Sequence, residues 1–142
     1  MAAQINYSAL CKYLYYVSGL GMKIYKSFHY GIGVEAYTIL LMYLLHKDQQ
    51  LAQRDVMRPI YWDQEQTEGQ YCIPLLVHGN IVVDIYQQDR LFQEQRDLLI
   101  ARMRLTHIPY GMVCNFDRSQ FYSEWYVRDA DTGIVDRLNM MK

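Results

Sequence analysis

Apolar side chains recur at intervals of three and four near the start of the chain. Leu10, Leu14, Val17, Gly21, Ile24 and Phe28 share one face of a helix. Ser8 stands where a capping serine would start it. Gly19 and Gly21 weaken the helix centre and mark either a kink or a close packing point. Lys12, Lys23 and Lys26 lie off the apolar stripe, as a solvated face does, with phosphate contact as the alternative. Gly31 and Gly33 break the chain before a second helix over residues 34–46. That segment is apolar on most sides (Tyr37, Ile39, Leu40, Leu41, Leu44, Leu45), the mark of a helix held between layers or in an interface. A third helix is predicted over residues 90–105. Leu91, Leu98, Leu99, Met103 and Leu105 form its apolar side, and Arg90 and Glu94 are spaced for an ion pair.

Between and after these helices the pattern is that of strands, predicted over residues 52–62, 70–77, 80–86, 110–115 and 121–127. Residues 63–69 read as a polar connection. Two of the runs meet at His78-Gly79-Asn80, where glycine supplies the positive φ of a tight hairpin turn. Ile81, Val82, Val83 and Ile85 make a nearly continuous β-branched run, expected of a strand covered on both faces. Pro74 lacks a backbone donor and belongs at a strand edge or a bulge. The tail to Lys142 reads as a short helix or a mobile end. Strands interrupted by helices require at least one crossover. The expected architecture is a single α/β domain over residues 1–142, a mixed sheet of four or five strands flanked by helices in three layers.

Composition narrows the function classes. At 142 residues the chain is long enough for one real core, and 51% hydrophobic against 20% charged residues argues against disorder. A net charge of −1 gives no broad electrostatic footprint for nucleic acid. Cys11, Cys72 and Cys114 are too far apart for a zinc ribbon; Cys72 and Cys114 lie in apolar strand contexts and read as buried thiols. His29, His46, His78 and His107 show no ligand spacing, so neither zinc nor Cys–His catalysis is expected. No leader pattern is found, and the apolar run over residues 39–45 is too short to span a membrane. A soluble cytoplasmic protein is the expectation. The 14 tyrosines suit a chain that lines both a core edge and a binding surface.

Several short motifs then converge. Gly31-Ile32-Gly33 precedes a helix carrying Glu35, Tyr37, Leu41 and Leu45. Arg58-Pro59-Ile60-Tyr61-Trp62 is a Pro-containing aromatic strand, and Gly111-Met112-Val113-Cys114-Asn115-Phe116 another apolar one. With the hairpin over residues 71–86, this order resembles the GxxExxY family of the PD-(D/E)xK nuclease superfamily across residues 20–116. Residues 117–142 form a further strand and tail beyond the resemblance. Two residues are missing between Gly33 and Tyr37, so Glu35 lies near the family glutamate but out of its frame. The resemblance implies a restriction-endonuclease-like mixed sheet and a degenerate site. The family's metal-binding Asp falls on Pro74, its second acidic ligand on Asp84, its Lys on Tyr86 and its helix Gln on Leu98.

Hydrolysis in this class uses Mg²⁺ held by carboxylates, with the metal polarising the phosphate and helping to generate hydroxide. Pro74 offers no ligand, and Tyr86, with an ordinary pKa of about 10, cannot replace an ammonium. Glu35, Asp84 and Tyr86 are therefore candidates for a remnant site. The expected function is that of a catalytically inactive nuclease-fold protein that binds a protein partner or itself, without a cofactor and without a membrane. One alternative is a nuclease with a relocated site, using Mg²⁺ or Mn²⁺ on Glu35, Asp84 and a carboxylate from Asp55, Asp63 or Glu65. Another is a non-catalytic nucleic-acid-binding module using Arg96, Arg102 and Arg104, which otherwise read as a solvated helix face.

Overall fold

A computed structural model describes residues 7–138. Its elements run α1 (Tyr7–Phe28), α2 (Val34–Lys47), β1 (Ala52–Trp62), β2 (Glu65–Val77), β3 (Ile81–Tyr86), α3 (Gln93–Thr106), β4 (Tyr110–Phe116), β5 (Phe121–Arg128) and β6 (Val135–Leu138). The strands form one sheet in sequence order. All neighbours are antiparallel except β3 and β4, which run parallel, with α3 as the crossover that parallel pairing requires. No helix among the described residues is long and apolar enough to cross a membrane.

Pleating sends alternate residues into two cores. On one face Leu14, Val17 and Ile24 of α1 and Tyr37, Leu41 and Leu45 of α2 pack on Val77, Val83, Met112, Cys114 and Trp125. On the other, Leu99 and Met103 of α3 pack on Val82, Val113 and Tyr126. The result is the expected restriction-endonuclease-like α/β arrangement, helices on both faces of a mixed sheet. Gly111 of β4 permits the α3 contact: a Cβ there would lie 2.5 Å from Met103 Sδ.

Several expectations need correction. The sheet has six strands, not four or five, because Val135–Leu138 of the tail pairs with the edge of β5. Residues 65–69 are not a loop. They extend β2 into a solvent-exposed hairpin arm, where a face with nothing to bury leaves no apolar alternation. Cys72 is exposed, because it lies on the face of β2 opposite Ile73 and so away from α3; Cys114 is buried. Leu98 is exposed, and α3 begins after Arg90, whose guanidinium sits over the Phe92 ring instead of pairing with Glu94. On α2 only one side is buried, and Ile39 and Tyr43 face outward.

Candidate functional site

The proline in β2 opens the site. Ile73 belongs to the α3-side core and Leu75, two residues on, to the opposite core, so the strand twists at Pro74. Asp55, across from it on β1, has a φ of 54°, and the β1–β2 register skips this position. Pairing between β2 and β3 is confined to Leu76 with Val82 and Val77 with Ile81. Pro74 has no N–H to continue the ladder, and the strands part into a cleft of about 200 Å³.

Into this cleft the fold brings Glu35 from the first turn of α2, Pro74, Asp84, Tyr86 and, from two other elements, Arg54 and Arg102. The three remnant-site candidates therefore share one cleft although 51 residues separate Glu35 from Tyr86. The Gly31–Gly33 loop that aims α2 is held by Tyr37. Its hydroxyl donates to His29 O (2.5 Å) and accepts from Gly31 N (3.1 Å), and its ring stacks on Phe116 at 3.8 Å. Gly33 N donates to Gln87 Oε1, just past β3, at 2.8 Å. Gly31 and Gly33 have φ of 117° and 95°, which side chains other than glycine rarely adopt.

Both carboxylates already have cations. Asp84, 4% exposed, has Arg102 Nη1 at 2.7 Å from Oδ2. The contact is an ion pair without good hydrogen-bond angles, and neither Asp84 oxygen accepts a well-aligned bond. Burial pushes the Asp84 carboxyl above its ordinary range, and Arg102 pulls in the opposite direction without reversing it. Arg102 Nε donates to Tyr71 on β2 at 3.1 Å, which fixes the guanidinium across the cleft. Burial, with the Asp84 charge added, likewise raises the Tyr86 phenol. Glu35 is gripped by both arms of Arg54, at 2.5 and 2.8 Å, and that pairing holds its carboxyl low.

This donor set does not fit Mg²⁺, which takes near-octahedral oxygen coordination. Asp84 faces a guanidinium where a second acidic ligand would be needed, and Pro74 contributes nothing. Among the described residues no three His, Cys, Asp or Glu side chains cluster as a metal site.

The three arginines proposed for nucleic acid point to different places. Arg102 closes on Asp84. Arg96 grips Glu124 on β5 with two bonds of 2.7 and 2.8 Å. Glu124 is buried and also accepts from Tyr122 (2.7 Å) and Tyr126 (2.9 Å). Burial alone would raise its carboxyl, but Arg96 and the two hydroxyls, with Arg137 nearby, hold it down at about 2. Arg104 turns to a separate hollow near the β1–β2 hairpin. Sequence reasoning missed the partners Arg54 and Arg102, because nothing in a helix pattern says which carboxylate an arginine will cross. Leu98 lies on the exposed side of α3, not in the cleft.

Residues 12–127 match the family model described as the PD-(D/E)XK nuclease superfamily. No curated protein and no solved structure matches the chain.

Proposed function

The chain belongs to the PD-(D/E)XK nuclease superfamily, and from that premise we propose that it is a catalytically inactive member acting as a protein-binding or self-associating module. Within the superfamily we place it in the GxxExxY branch, on Gly31-Ile32-Gly33, Tyr37 and the strand ending in Asn115-Phe116. The observation that carries the proposal is the Arg102–Asp84 pair. A guanidinium fixed 2.7 Å from the one acidic residue left in the metal frame puts a permanent positive charge where a cation would bind. Displacing it would strand two buried charges. The fold remains intact around this closed site, and the outer side of α2 offers Ile39 and Tyr43 for contact. Aromatic residues in such positions are favoured at interface cores.

Calorimetric titration with Mn²⁺, using the wild type and Asp84→Asn, tests the closed site. No binding heat in either protein, and no cleavage of DNA or RNA, is the expected result. Binding in the wild type that disappears in Asp84→Asn, together with cleavage, would overturn it.

A further inference from the structure

A second hollow, of about 370 Å³, lies between the tip of the β1–β2 hairpin, the C-terminal end of α3 and the loop before β6. Its size falls within the range of about 300–1,000 Å³ usual for small-molecule sites. Arg128 in its wall is 8% exposed, and its Nε is buried without a hydrogen-bond partner among the described residues. A buried guanidinium with an unmet donor is costly, and native folds rarely keep one without use. Arg104 lines the same hollow. Burial first, and then the nearby Arg104 charge, make it harder for Arg128 to hold its proton. The available acids do not resolve this. The Asp129 charge offsets this in part, but its Oδ1 is occupied by the N–H groups of Asp131 and Thr132, and among the described residues no carboxylate stands within ion-pair distance of Arg104 or Arg128. Gly133 leaves the guanidinium uncrowded: a Cβ there would stand 3.4 Å from Arg128 Nη2.

The opposite wall is aromatic. Trp62 is 75% exposed, the most exposed of the large apolar side chains among the described residues. Tyr61 stacks on His107, rings 3.9 Å apart and 11° from parallel, so the platform is braced against α3. Two arginines without an ion pair among the described residues, facing a pair of flat rings, have the chemistry of phosphate capture combined with base stacking.

We infer that this hollow binds a nucleotide phosphate, with Arg104 and Arg128 holding the phosphate and Trp62 and Tyr61 receiving the base. The ligand is a free mononucleotide or the phosphorylated end of a single strand. The site is separate from the Asp84 cleft: Arg102 and Arg104 leave α3 about 160° apart around its axis. It goes beyond the proposed function and stands whether or not Asp84 binds a metal.

Trp62 provides the readout, since the other tryptophan, Trp125, is 2% exposed. AMP and UMP should quench the exposed tryptophan emission, while adenosine and inorganic phosphate alone bind much more weakly. Arg104→Ala should weaken binding at least about tenfold, and Trp62→Ala by roughly 5- to 150-fold, the usual cost of losing a stacked base. Trp62→Phe should abolish the quench while calorimetry still detects AMP. Arg128→Met should abolish binding without lowering Tm, because it removes a buried unpaired charge; a merely structural arginine would lower Tm. Equal affinity for AMP and for a 5′-phosphorylated ten-nucleotide strand identifies a mononucleotide site. A phosphorylated strand binding far more tightly than both AMP and its unphosphorylated counterpart identifies a strand end. The inference fails if no nucleotide binds in the millimolar range, if phosphate binds as well as AMP, or if Arg104→Ala and Trp62→Ala leave affinity unchanged.

Discussion

At the scale of single residues, this chain buries Asp84 and Glu124 and pairs each with an arginine. Removing Arg102 leaves Asp84 as an isolated buried carboxylate, at an expected cost of about 3–5 kcal/mol. Replacing both partners with apolar residues avoids that penalty. Denaturant unfolding of Arg102→Met, Asp84→Leu and the double variant should therefore show the double variant more stable than Arg102→Met. Additive losses would mean the pair is not coupled. Glu124 gives a second prediction, this time on pH. Its folded pKa of about 2 lies below its ordinary 4.5, so its contribution is fully present above about pH 4.5 and fades as pH falls toward 2. Asp84 has the opposite sign: with its carboxyl raised, protonation relieves it, so it does not add to the acid loss. Glu124→Gln should be less stable than wild type at pH 7 and should show a flatter decline between pH 5 and 3. An unchanged acid limb would assign the loss to other groups.

At the scale of elements, two glycines in one helix have opposite duties. Gly19 is exposed with open space beside it, while a Cβ on Gly21 would run into the Phe121 ring of β5. The same seam carries the Ser18–Ser123 hydroxyl bond at 2.9 Å. Gly19→Ala should gain up to about 1 kcal/mol from helix propensity. Gly21→Ala gains the same but overpacks by about 1–3 kcal/mol, so a net loss is expected, with Phe121→Leu restoring part of it. Thermal melts of the three variants decide this, and equal gains at both glycines would refute the packing role. The sequence already pointed to a kink or a close packing point here, because an apolar stripe that includes a glycine needs a reason. Element positions were legible wherever burial imposes a period. Residues 52–62 are a strand as read, and the β-branched run of β3 lies covered on both faces. The arm over residues 65–69 and strand β6 were not legible, since segments that bury little carry no apolar period. The site was half legible. Pro74, Asp84 and Tyr86 could be located by their frame around a hairpin, and Glu35 shares their cleft. Arg54, Arg102 and the Arg104–Arg128 hollow depend on contacts between distant elements, which no local spacing encodes.

At the scale of the whole molecule, the question is what the uncovered surface serves. On α2, Ile39 and Tyr43 lie one turn apart and are 52% and 60% exposed, on a helix whose other side is sealed by Tyr37, Leu41 and Leu45. Single exposed apolar residues are ordinary, but an aligned pair on an otherwise apolar helix is a ridge another surface can cover. The net charge of −1 supplies little repulsion to keep copies apart. If the module self-associates through this ridge, light scattering should show mass rising with concentration. The double substitution Ile39→Lys, Tyr43→Glu should return it to the monomer mass. Both positions face solvent in the monomer, so the monomer's own unfolding free energy should shift by less than about 1 kcal/mol. The association should also change little between low and high salt, because apolar contact releases no counterions, unlike the phosphate contacts expected at Arg104 and Arg128. A wild type that stays monomeric at its highest soluble concentration would end the self-associating reading and leave a different protein as the partner for α2. A strongly salt-sensitive oligomer unaffected by the double substitution would move the interface away from this helix.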